Sequence, residues 1–228
     1  MAFVVAIDGP AGSGKGSIAK AVAEKMGLVN IDTGALYRTV TLSVIRNNME
    51  LNQLDKILEL LEKINIEIEY KNNTQYTFLN GEDVSREIRE KAVTDKVSFI
   101  STPPEIRKKV TELERKVGND NLKLGKSIIM EGRDITTVVF PNADVKIYLD
   151  ASPEERANRR YKQNLEAGIN IPFEDILENI KTRDYNDTHK EVGALKQAED
   201  AIYFDCSNMT VEESANRVCK IIQEKLNS

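Results

Sequence analysis

Tryptophan is absent, cysteine occurs only as Cys206 and Cys219, and His189 is the single histidine in 228 residues. Two cysteines outside a C-x-x-C spacing build no disulfide framework, and one histidine offers little to zinc, so a reducing, cytoplasmic setting without a zinc site is expected. Nowhere is there a run of about 18 apolar residues, which excludes a membrane-spanning helix. The apolar start, Met1 to Ile7, meets Asp8 and has no basic flank, so no signal peptide is expected. Excess positive charge is also lacking: 32 Lys and Arg against 37 Asp and Glu leave a net −5. A chain of that sign is repelled by nucleic acid and anionic membranes, so neither is expected as a partner, and any phosphate site must be locally basic. What remains, 40% hydrophobic and 30% charged residues, is a globular composition and excludes a wholly disordered chain. The length suits one large domain, or one domain with a smaller insertion.

Five short segments rich in β-branched residues alternate with helical patterns: Phe3 to Ile7, Leu28 to Ile31, Ser127 to Met130, Val145 to Leu149 and Ala201 to Phe204. That rhythm predicts an α/β fold with a parallel sheet between helices. After the first strand, Ile18, Val22 and Met26 share one helical face and Gly27 supplies the stop. Ser152 with Glu155 and Thr210 with Glu213 read as capping boxes of two later helices. One stretch breaks the rhythm. Ile64, Ile66, Ile68 and Tyr70 alternate with polar residues, Asn72-Asn73 is turn-prone, and Thr74, Tyr76 and Phe78 alternate again. The pattern predicts a β-hairpin inserted at 61–103, either a substrate-binding subdomain or a decorative flap, between core segments 1–60 and 104–228.

Directly after the first strand stand Gly9, Pro10, Ala11, Gly12, Ser13, Gly14, Lys15, Gly16 and Ser17, followed by the amphipathic helix. Glycines turn successive amides inward around a phosphate, the helix N-terminus adds positive charge, and Lys15 reaches the β and γ oxygens. Gly16 takes the place where a hydroxyl normally meets Mg²⁺. Ser17 comes one place later. This Lys-Gly-Ser variant resembles the nucleoside monophosphate kinases, which implies that the Ser17 hydroxyl would sit near the metal, through water. Arginines gather after strand ends: Arg38, Arg133, Arg156, Arg159, Arg160 and Arg183. Singly, each reads as a solvated surface group; together with the loop, they read as a crevice for phosphates.

Several separate motifs then coincide in order: Ala6 to Ser17, Asp32-Thr-Gly-Ala-Leu-Tyr-Arg38, Leu79-Asn-Gly-Glu-Asp-Val-Ser85, Gly132-Arg-Asp134 with Val138-Val-Phe-Pro141, Glu155-Arg156 with Arg159-Arg160-Tyr161, and Arg183-Asp184 with Asp187. The chain resembles the bacterial cytidylate kinases nearly end to end. The resemblance implies a P-loop three-layer fold with a five-stranded parallel sheet, an inserted CMP-binding subdomain carrying the hairpin, and a helical lid around 152–190. It implies a monomer that transfers the γ-phosphoryl group of Mg-ATP to CMP or dCMP. Lys15, Arg133, Arg159 and Arg183 would be catalytic; the loop from Gly9 to Ser17 with Arg156 and Arg160 would hold ATP. Thr33, Tyr37, Arg38 and Arg133 would hold the acceptor phosphate, Ser98, Arg107 and Asp134 the cytosine, and Arg183 with Asp187 the ribose.

From the residues alone, Tyr37 is equally a core aromatic with its hydroxyl at the surface; for Asp134 the lesser alternative is a helix cap or a partner of Arg133. Three departures from the family pattern stand out: Thr136 for a glycine, Ala194 for a proline, and Asn186, Thr188 and Lys190 where arginine is common. The rivals are a kinase for another small acceptor, a GTP-hydrolysing switch and an inactive structural relative. The hairpin insert and Gly132-Arg-Asp134 speak against the first, the lack of an Asn-Lys-x-Asp motif against the second, and intact Lys15 against the third.

Overall fold

A computed structural model describes residues 2–71 and 74–227; the expected Asn72-Asn73 turn lies outside them. In chain order, β1 (Val4–Asp8) runs through the phosphate loop into α1 (Lys15–Met26), followed by β2 (Val29–Asp32), α2 (Gly34–Arg46) and α3 (Leu54–Lys63). The insert carries β3 (Ile66–Lys71), β4 (Thr74–Leu79), β5 (Glu82–Asp83) and the short helices α4 (Lys91–Thr94) and α5 (Val97–Ile100). Next come α6 (Pro104–Lys123), β6 (Ile128–Gly132), one π-helical turn (Ile135–Val139) and β7 (Val145–Asp150). The chain closes with α7 (Pro153–Glu166), α8 (Phe173–Thr188), β8 (Ile202–Asp205) and α9 (Val211–Leu226).

The main sheet is parallel throughout, in the order β2-β6-β1-β7-β8. Its strands coincide with the expected segments to within one or two residues. Alternation along β1 makes three layers: Val5 and Ile7 pack with Ile18, Val22, Val218 and Ile222 of α1 and α9. Val4 and Ala6 pack on the opposite face with Ile31, Met130, Ile135 and Val139. Each such aliphatic side chain, fully buried, contributes about 1.5–3 kcal/mol. From β1 the chain runs to β2 and β6 on one side and then crosses to β7 on the other, so the strand order reverses at β1 and the crevice opens at the carboxyl ends of these strands. No helix among the described residues is long and apolar enough to cross a membrane.

The hairpin forms, but β4 turns the other way from its pattern. Ile66, Ile68 and Tyr70 lie opposite Leu79, Thr77 and Gln75 on the inner face. Tyr76 and Phe78 therefore stand outside, each with Lys71 Nζ within 6 Å of its ring. Antiparallel register decides the face, and the aromatic run misleads because the cation shelters it. The third strand, β5, also escaped the pattern, although Asn80-Gly81 announces it. Both residues adopt positive φ, 53° and 83°, as a tight hairpin turn requires. The insert is fastened to the core by Gln75, whose amide accepts from Asp32 N at 2.9 Å and donates to Asp32 O at 3.2 Å.

The capping box at Thr210 is complete, whereas Ser152 supplies only half of one. Glu155 does not return a bond, because its carboxylate faces Arg159 Nε at 3.3 Å.

Candidate active site

At the end of β1 the loop wraps around the Lys15 side chain, whose Nζ donates to Pro10 O at 2.7 Å and Ser13 Oγ at 3.4 Å. The ammonium is buried, and burial, then the nearby Arg133 charge, pull its pKa down to about 7. Glu131, beside Ile7 in the sheet register, is raised to about 7 by burial and by Asp32, while Lys15 and Arg133 oppose the rise. Glu131 was missed in the sequence, where its only signal is its position just before Gly132-Arg-Asp134. It also explains Gly16: a side-chain carbon there would stand 2.8 Å from Glu131 Oε1. Phosphate oxygens brought to this pair raise both groups. ATP without metal is therefore expected to bind at neutral pH with net proton uptake, seen as a buffer-dependent binding enthalpy that shrinks in Lys15→Ala.

Buried Asp8 accepts from Ile135 N at 2.9 Å, Thr136 N at 2.7 Å and Thr136 Oγ1 at 2.6 Å. Burial raises its pKa, while these bonds favour ionisation. Thr136, the departure from glycine, thus pins the π-helical turn that follows Arg133 and Asp134. Thr136→Val keeps the shape and removes the hydroxyl donor, so urea denaturation should show a loss of about 1–3 kcal/mol.

A cavity of about 610 Å³ joins Ala11, Gly12, Gly14, Lys15, Gly16 and Ser17 to all nine residues expected at the acceptor: Thr33, Tyr37, Arg38, Ser98, Arg107, Arg133, Asp134, Arg183 and Asp187. Asp134 accepts from Arg107 Nη2 at 2.6 Å, both groups being buried; it neither caps the π-helical turn with its side chain nor pairs with Arg133. Tyr37 is a core aromatic whose hydroxyl is buried rather than at the surface, with Arg107 Cζ 5.4 Å from its ring centroid. Asp187 accepts from Arg133 Nε at 2.8 Å and from Lys190 Nζ at 2.9 Å. Although buried, it is held well below the usual carboxylate range by these two cations. Lys190 also donates to Ser101 Oγ at 3.2 Å, so the lysine in place of arginine still links the end of α8 to the insert side. Arg38 Nη1 donates to Thr94 Oγ1 at 3.2 Å, and half-buried Arg183 makes no hydrogen bond; burial pulls both pKa values down.

The arginines of α7 are not brought into this cavity. Arg156 is buried, binding Ala151 O, Ala11 O and both carboxylate oxygens of Asp184. Arg159 donates to Cys206 O at 2.8 Å and Ser207 O at 3.0 Å, and Arg160 is exposed without a partner. Strand-end carbonyls are strong acceptors, and those of Cys206 and Ser207 take the Arg159 guanidinium. Gly9, Pro10 and Ser13 shape the loop behind the cavity wall. His189 stacks on Tyr185 at 4.0 Å, outside the cavity.

A phosphate loop between β1 and α1, at the switch point of a three-layer parallel fold and facing arginines, defines a phosphate-loop kinase. A solved sugar kinase from Janibacter shares the fold, with TM-score 0.51 and 15% identity over 98% of this chain and 95% of that one. The cytidylate kinase family profile matches residues 5–224. The cytidylate kinase of Leuconostoc mesenteroides is 42% identical over 98% of each chain. That of Streptococcus pyogenes serotype M4 is 44% identical over 98% of this chain and 96% of its own. The chain belongs to the cytidylate kinase family and is a phosphotransferase.

Proposed function

We propose that the protein transfers the γ-phosphoryl group of ATP to CMP, and to dCMP, giving CDP or dCDP and ADP. The observation that carries this reading is the buried Arg107–Asp134 pair, which lines the same cavity as Lys15. A carboxylate that accepts from a 4-amino group, beside a guanidinium that donates to ring acceptors, is complementary to cytosine. Ser98 joins this pair. Thr33, Tyr37, Arg38 and Arg133 flank the acceptor phosphate, and Arg183 with Asp187 the ribose. In this reading the insert at 61–103 is the acceptor subdomain rather than a flap.

Lys15 and the loop amides neutralise the donor phosphates, and Arg133 and Arg183 balance charge between donor and acceptor. The bond from the γ-phosphorus to the leaving ADP oxygen breaks as one to a CMP phosphate oxygen forms, in line and without a covalent enzyme intermediate. The lid at 152–190 excludes water, and Arg159 joins the phosphates only by leaving its carbonyl partners. Mg²⁺ keeps several waters and needs one or two carboxylates beside substrate phosphates. Glu131 over Gly16, with Ser17 on the same wall, fits that demand; these residues would hold the ion through water, and its chemistry is charge neutralisation.

A coupled ADP-release assay with ATP, Mg²⁺ and a panel of nucleoside monophosphates tests the reading. CMP should be the preferred acceptor with dCMP used; preference for AMP or UMP would overturn it.

A further inference from the structure

After α8 the chain turns back toward the acceptor end of the cavity, and both ends of that turn are fastened to Asp187. Lys190 Nζ donates to Asp187 Oδ1 at 2.9 Å and to Ser101 Oγ at 3.2 Å, while Leu195 N donates to Asp187 O at 2.8 Å. The Leu195 side chain is buried as well. Between these two pins Gly193 adopts the left-handed backbone, with φ 64°. It is half-buried and does not line the cavity, whereas Arg107 and Asp134 are buried and do. A side-chain carbon on Gly193 would stand closer than 3.0 Å to Arg107 Nη2, Arg107 Nε and Asp134 Oδ2. Nη2 and Oδ2 are the two atoms of the 2.6 Å hydrogen bond that joins the pair. The glycine backbone thus lies against that bond, in a place that no side chain can share.

We propose that Gly193 is a positioning residue for the acceptor base: the strap at 190–195 sets its bare α-carbon against the Arg107–Asp134 hydrogen bond and fixes the pair in the geometry that reads cytosine. The inference rests on the assignment of that pair to cytosine.

The strap and the guanidinium share an anchor. Ser101 accepts from Arg107 Nη1 through its carbonyl at 3.0 Å and from Lys190 through its hydroxyl. Arg107 is held on another side by the Tyr37 ring, 5.4 Å from its Cζ. A side chain at position 193 therefore has two ways to fit. It can push the carboxylate away from the guanidinium, which turns the Asp134 acceptor off the base and parts two buried charges. Otherwise it lifts the strap from Asp187 and draws Leu195 out of its packing, which lets water reach the pair and compete for the bonds that tell an amino group from a carbonyl. Discrimination between cytosine and uracil falls by either route.

CMP and UMP carry the same ribose and phosphate, so the ratio of their specificity constants reports the base alone. Gly193→Ala should lower kcat/KM for CMP by about tenfold, chiefly through KM, and lower the CMP to UMP ratio by a similar factor. Gly125 has the same left-handed backbone, with φ 74°, and nothing within 4 Å of where a side-chain carbon would stand. Gly125→Ala therefore carries the backbone penalty without the collision, and it should keep the wild-type ratio. Lys190→Met removes both Nζ bonds that pin the strap and should lower the ratio in the same direction; whatever it does to the ribose through Asp187 is common to both nucleotides and cancels. An unchanged ratio in a folded Gly193→Ala protein, with the wild type preferring CMP, would overturn this inference alone, as would an equal fall in Gly125→Ala. A wild type without preference for CMP over UMP would overturn the cytosine assignment and this inference with it. If Gly193→Ala does not fold, Lys190→Met decides, and a wild-type ratio there overturns the inference.

Discussion

Replacing Lys15 with alanine is expected to lower kcat by about a hundredfold or more while the fold survives. The side chain touches only its own loop, Pro10 O and Ser13 Oγ, and supports no hydrophobic cluster. Its burial is itself a cost, visible in the depressed pKa, so the alanine protein should melt no lower than the wild type. The loss falls on the step in which charge spreads over the transferring phosphoryl group, so kcat should fall more than affinity for CMP. Steady-state kinetics beside a thermal melt measure both. Wild-type turnover in a folded Lys15→Ala protein would remove Lys15 from the phosphate site.

Changing Asp134 to asparagine should lower kcat/KM for CMP by on the order of a hundredfold and shift the CMP to UMP preference by more than that. Asp134 gives one oxygen to Arg107 and, in the proposed reading, presents its other acceptor to the cytosine amino group. Uracil offers a carbonyl there, so the carboxylate faces an acceptor and both are left unpaired in a buried site. Asparagine keeps an oxygen for Arg107 and turns its amide donor toward the base, which suits uracil. Alanine is the poorer test, since it leaves the buried Arg107 charge unpaired, a defect that costs about 3–5 kcal/mol. Specificity constants for both nucleotides decide the matter; an unchanged ratio in a folded protein would mean that the base is read elsewhere.

Local pattern alone determined the five parallel strands, the phosphate loop, the helix that Gly27 stops after Met26, the cap at Thr210 and the presence of an inserted hairpin. Each is written within a few consecutive residues, as hydrophobic period, turn chemistry or side-chain to backbone reach, so its cause is contained in the segment that shows it. Motif resemblance extended this to the nine residues expected at the acceptor, which the fold does bring to one cavity. Only the tertiary structure decided which strands lie side by side. The order β2-β6-β1-β7-β8 places Glu131 against the phosphate loop and Asp8 under Thr136, 128 positions away. The inward face of β4 was decided by its register with β3, not by its aromatics, and the carbonyls of Cys206 and Ser207 drew Arg159 away from the cavity. The burial of Glu114 was hidden for the same reason. In the sequence it is one more charged residue on a charged helix, and only the tertiary packing of α6 buries it, because burial is a property of what other segments cover, which no local period encodes.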